Sequence, residues 1–167
     1  MSTYLLPSLN ICPNILRTCH QIHDEAAVIL YKSNMFCAHP TQLISCPFLV
    51  ASDRVIHYSR YKDNIRKWYI SLRMDIDPRL RAKDVETAFT GVDTLEIEAW
   101  QAMFGSGDPR VLKLFEGVRG VGKVKVYGSV GQRYSDWLTL CMKSPLGSVV
   151  EPFVEDTQWD AWTHGNR

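Results

Sequence analysis

The chain has 167 residues, a formal net charge of +1, 46% apolar residues and 22% charged residues. That length buries a core as a single domain. The near-neutral charge supplies no bulk field for nucleic acid or anionic membrane, and no apolar run reaches the roughly 20 residues of a membrane-spanning helix. Five cysteines without framework spacing point to reduced thiols, and hence to a cytoplasmic or nuclear protein. The opening MSTYLLPSLNICP has no basic n-region and is interrupted by Pro7, so it reads as a leader packed by Tyr4, Leu5 and Leu6 rather than as a signal peptide.

Asn14 to Phe36 is the most patterned stretch. Ile15, Cys19, Ile22, Ala26 and Ile29 recur at helical spacing, widened by Leu16 and Leu30, and predict one amphipathic helix with that stripe buried. Asn14 suits an N-cap, since its side-chain oxygen can accept from a first-turn N–H. Met35, Phe36 and Cys37 follow as a short buried strand. The segment LRTCHQIHDEAAVILYKSNMF resembles a signature of fungal proteins described as F-box-like, of approximate form L-x-x-[TV]-C-R-Q-I-[YH]-x-E-A-x-x-[IL]-L-Y-x-x-N-x-F. Leu16, Thr18, Cys19, Gln21, Ile22, Glu25, Ala26, Leu30, Tyr31, Asn34 and Phe36 carry it, and His20 departs where Arg is usual. The resemblance implies an α/β scaffold and brings no catalytic residues to carry over. Its F-box helix would begin Leu-Pro-x-Glu-[Ile/Leu]-Arg, whereas Leu6-Pro7 is followed here by Ser8 and Leu9, which removes the charged residues of that motif.

Pro40 and Thr41 can open a helix carrying Leu43 and Ile44, broken at Pro47 by the missing donor. Residues 53–64 read as a polar connector with aromatics. From Ile65 to Met74, Trp68, Ile70 and Leu72 alternate with Lys67, Tyr69, Ser71 and Arg73, the period of a half-buried strand. Asp77-Pro78-Arg79 and Asp108-Pro109-Arg110 form a weak internal repeat in which Asp suits the N-cap and Pro the first helical position. The first helix carries Ala82, Val85 and Phe89 inward and closes at Gly91. The second carries Val111, Leu112, Leu114 and Phe115 and closes at Gly117. Strands over 92–100 and 121–128 follow them, with Val92, Leu95, Ile97, Val124 and Val126 inward. A last helix over 131–143 buries Trp137, Leu138 and Cys141, and residues 148–167 form a tail bearing Phe153, Trp159 and Trp162 among acidic residues.

Strands separated by helices imply parallel pairing through right-handed crossovers. The expected fold is therefore a small α/β domain over residues 1–147 with a mainly parallel sheet. It resembles a short, irregular leucine-rich-type array capped in front by Asn14–Phe36 and behind by the last helix.

Four patterns carry candidate chemistry. Cys19, His20 and His23, with Cys12, Cys37 and His39, form the one metal-like cluster, but no paired C-x-x-C accompanies it, and core cysteines with surface histidines explain it better. Gly117, Gly120 and Gly122 follow a helix and precede a strand, the reverse of a phosphate loop, so they read as a helix stop and turn. Asp75, Asp77, Glu96 and Glu98 can supply paired carboxylates, and Ser129 or Ser135 a nucleophile, yet no His–Asp pattern accompanies them. Arg54, Arg60, Lys62, Arg66 and Lys67 interleave with Tyr58, Tyr61, Trp68 and Tyr69, a pattern suited to single-stranded nucleic acid, which the total charge argues against.

These residues favour a non-enzymatic protein-interaction module without cofactor or metal, recognising a protein partner through an exposed strand face. Arg66, Tyr69, Ser71, Arg73, Glu96, Glu98, Lys123, Lys125 and Tyr127 are the candidates on that face. The alternatives are a substrate-recruiting subunit of a ubiquitin ligase, as the F-box-like resemblance implies, and a small hydrolase or transferase with a pocket at the carboxyl ends of the parallel strands.

Overall fold

The computed structural model describes residues 13–49, 63–102 and 110–154. Within them a 3₁₀ turn, Pro13–Arg17, leads through α1 (His20–Ser33), β1 (Phe36–His39), β2 (Leu43–Leu49), β3 (Lys67–Arg73), α2 (Ala82–Phe89), β4 (Thr94–Trp100), α3 (Arg110–Lys113) and β5 (Lys123–Gly128) to α4 (Gln132–Lys143). The strands form one sheet in the order β2-β1-β3-β4-β5. β1, β3, β4 and β5 run parallel, and β2 is antiparallel to β1. The α/β class and the mainly parallel sheet are as the strand–helix rhythm predicts.

Alternation along the strands makes the core. Trp68, Ile70 and Leu72 of β3 align with Leu95, Ile97 and Ala99 of β4, and all six are fully buried. Val85 and Phe89 of α2, Val111, Leu112 and Phe115 around α3, and Leu138 and Met142 of α4 close over that side of the sheet. Phe89 sits at the centre, stacked on Phe115 at 5.9 Å between ring centroids and edge-on to Trp68 at 6.2 Å. Such pairs add about 0.5–1.5 kcal/mol beyond the area they bury.

α1 departs from expectation. It begins at His20, after the 3₁₀ turn, and buries Ala27 and Tyr31. Ile15, Ile22 and Ile29 of the expected stripe are 52%, 39% and 64% exposed, and Cys19 is exposed as well. Residues 27, 30, 31 and 34 have helical spacing too, and the connection to β1 decides between the two faces. Phe36 lies in the core only three residues beyond Ser33, Tyr31 stacks on it at 5.4 Å, and the small side chain of Ala27 lets the helix approach the sheet. Asn14, in the 3₁₀ turn, does not cap α1, whose N-cap position is Cys19.

The helix expected after Pro40 is instead the edge strand β2. His39 fixes the hairpin, its Nδ1 lying 3.2 Å from the Thr41 N–H and 3.0 Å from the Thr41 hydroxyl. An edge strand tolerates Pro47, because a ladder bond can be omitted there. β2 thus takes the outer edge that the Asn14–Phe36 segment was expected to close.

α2 starts at Ala82 rather than at Pro78. The Asp77 carboxylate accepts the Arg79 N–H at 2.8 Å and makes a local turn instead of a helix cap. Ala82 is accordingly exposed, while Val85 and Phe89 are buried as expected. The repeated Asp108-Pro109 lies outside the described residues, as do the leader, most of the 53–64 connector and residues 155–167. α4 anchors itself to β5 through Ser135, a buried residue whose hydroxyl donates to the Val126 carbonyl at 2.8 Å. Residues 149–153 return along α4, where Trp137 Nε1 donates to the Glu151 carbonyl at 3.0 Å and Phe153 packs edge-on against Tyr134. Among the described residues no helix is long and apolar enough to cross a membrane.

Candidate functional site: the open sheet face

The helices that cover the sheet pack on its Trp68–Leu95–Val126 side. The opposite side presents the alternate residues in register: Lys67, Thr94 and Lys123, then Tyr69, Glu96 and Lys125, then Ser71, Glu98 and Tyr127, then Arg73 beside Trp100. Eight of the nine expected face residues stand in these rows. Arg66 does not. It precedes β3, and its guanidinium reaches Asp93 Oδ1 at 3.2 Å and the Gly91 carbonyl, stapling the start of β3 to the loop before β4. Lys67, Thr94 and Trp100 complete the face and share its parity, so the alternation that revealed Tyr69 and Glu96 extends to them.

Several of these groups are already engaged. Lys67 Nζ donates to the Ser33 carbonyl at 2.9 Å. Arg73 grips Asp75 with two bonds, at 2.7 and 2.8 Å, while its guanidinium lies over the Trp100 ring at 5.3 Å. That bidentate pair holds the Asp75 carboxyl below its ordinary value. The Tyr69 hydroxyl donates to Glu98 Oε2, and burial, reinforced by that bond, pushes the phenol far above its ordinary value. Lys123 and Lys125 are exposed, and neither makes an ion pair among the described residues; Lys125 Nζ lies over the Tyr127 ring at 4.6 Å.

The other candidates disperse. Cys19 is exposed, Cys37 is buried in β1 and His39 is tied to its hairpin; among the described residues no group of three or more His, Cys, Asp or Glu side chains is placed to hold a metal ion. Gly120 adopts a φ of +69° between α3 and β5, as a turn requires. Ser135 is consumed by its bond to Val126. A hollow of about 530 Å³ lies beyond the carboxyl end of β3, lined by Met74, Leu80, Val111, Asp75, Asp77 and Arg110 among others. Asp75 is held by Arg73, and Asp77 accepts the Arg79 N–H. Its described lining contains no histidine, cysteine or serine.

Burial pushes the Cys37 thiol from 9.0 to about 11. Alkylation of the native protein at pH 8 followed by peptide mapping is expected to label Cys19 while sparing Cys37 and Cys141, which react only on unfolding. A thiol raised in the folded state contributes stability that is complete below its unfolded value near 9 and is lost as the pH rises through about 11. Equal native labelling of Cys19 and Cys37 contradicts that burial.

No protein-family model, curated protein or solved structure matches this chain.

Proposed function

We propose that this protein is a non-enzymatic protein-interaction module that recognises a partner protein through the open β3–β4–β5 face. The supporting observation is the registered array itself: charged and aromatic side chains stand in rows on parallel strands whose other side is locked into the core. Parallel sheets are ordinarily covered on both sides, so a side that the described helices leave uncovered, with two tyrosines, a tryptophan and an arginine set among its charges, supports a recognition role. The carboxylates of the hollow beyond β3 are engaged in ion pairing and turn formation, and this arrangement favours recognition over chemistry.

The reading is tested by affinity purification with mass spectrometry. Lys123→Glu with Lys125→Glu reverses two exposed cations on the β5 side of the face. Trp100→Ala removes the partly exposed ring at its end, and Lys83→Glu alters an exposed position on α2 as a control. Partners captured by the native chain and by the control are expected to fall at least tenfold with each face variant, at unchanged melting temperature. Capture of the same partners by all four forms overturns the reading.

A further inference from the structure

The geometry points to an extended acidic segment of a partner protein as the ligand of the β5 side of this face, its carboxylates two residues apart meeting Lys123 and Lys125. The inference rests on the interaction-module reading and narrows it to a partner chemistry.

Four cations stand on the face; two are bound to acceptors of the chain itself, and Lys125 lies over the Tyr127 ring with its charge unpaired among the described residues. Lys67 is spent on the Ser33 carbonyl and Arg73 on Asp75. Lys123 and Lys125 are exposed and without an ion pair among the described residues, even though Glu96 is the register partner of Lys125. Two residues apart on one strand, their Cα atoms are separated by about 6.6 Å. An extended peptide repeats same-side carboxylates at that interval, so two charge-assisted contacts form without bending either chain.

Docking takes place on the face rather than by strand addition at the β5 edge. Lys123 N–H bonds inward to the Asp93 carbonyl at 2.8 Å, so the backbone groups of Val124, Val126 and Gly128 point outward. The Val126 carbonyl is taken by the Ser135 hydroxyl, and the Gly128 carbonyl by the Val130 N–H at 2.9 Å. A second copy of the chain aligned on β5 would set lysine against lysine. Glu96 and Glu98 fix the inner boundary: an acidic segment over β4 meets like charge, so the ligand follows β5. The same two carboxylates oppose a nucleic-acid strand, whose phosphates form an unbroken negative line.

The full-length protein, labelled with ¹⁵N, is titrated with peptides alternating Glu with Thr, Gln with Thr and Lys with Thr, and with a short single-stranded oligonucleotide. Amide shifts confined to β5 and the facing residues of β4 are expected with the Glu peptide. It should bind at least tenfold more tightly than its Gln counterpart. Lys123→Glu with Lys125→Glu, both at exposed sites, should abolish that preference at unchanged melting temperature. Equal binding of the Gln peptide, shifts centred elsewhere, tighter binding of the oligonucleotide or no binding of the Glu peptide each overturn the inference. If the peptide fails while capture still falls with Lys123→Glu and Lys125→Glu, only the acidic class is overturned and the face stands. If capture is also indifferent, both readings fall.

Discussion

Phe89→Ala is expected to lower the unfolding free energy by about 3–5 kcal/mol, seen as a fall in the urea midpoint. The ring is fully buried and meets both the β3 tryptophan and the aromatic that follows α3, so its removal uncouples α2 from two neighbours at once. Deleting it forfeits the transfer free energy of the ring and leaves a cavity that the sheet cannot collapse to fill, because its strands are held in register. Against a typical total of about 5–15 kcal/mol, that is a large share of the stability. Phe89→Leu, which keeps most of the volume, should cost about 1.5 kcal/mol or less. Equal effects from the two substitutions would show that Phe89 is not the centre of the core.

Gly128→Ala is expected to cost about 3 kcal/mol or more. The residue ends β5 at a φ of +100°, and a Cβ built there lies 2.0 Å from the Ala99 carbonyl oxygen. That carbonyl also accepts the Ser129 N–H at 2.6 Å, so it cannot withdraw without breaking the bond that turns the chain towards α4. Backbone strain and overpacking each contribute about 1–3 kcal/mol. Gly131→Ala is the internal control. Gly131 has a φ of −63° and open space around its Cα, so the substitution should change stability by only about 0.5 kcal/mol. Thermal unfolding of the two variants side by side checks the difference, and equal melting temperatures would contradict the close approach at Gly128.

The three parallel strands β3, β4 and β5 were legible in the sequence because one side of each faces a continuous core. Trp68, Ile70 and Leu72, or Leu95 and Ile97, must then alternate with polar neighbours. The same parity exposed most of the open face. The inner side of α1 was not legible, since Ile22–Ala26–Ile29 and Ala27–Leu30–Tyr31 share the helical period. The choice between them is made by Phe36, which belongs to another element. β2 was hidden for a similar reason: Leu43, Ile44 and the flanking prolines suit a short helix as well as an edge strand, and pairing with β1 decides the outcome.

Which charges on the face are free was also beyond local reading. Arg66 finds its acid 27 residues away, and Lys67 finds its carbonyl 34 residues away in the opposite direction. Ser135 gave no sign of its anchoring role, as a hydroxyl within a helix reads as neutral until a strand carbonyl arrives beside it.

The bond from Ser135 to Val126 also bears on how the chain behaves in a crowded solution. Arrays of strand–helix units lengthen by laying a further strand against the last one, and the same exposed edge seeds fibrous aggregation when nothing follows. Among the described residues the α4 hydroxyl occupies an outward carbonyl of β5, two lysines precede it on the strand, and the opposite edge is a hairpin strand containing a proline. Growth is therefore discouraged at both margins. Among the described residues the sheet is five strands wide, and the proposed recognition surface occupies the rows that three of them display.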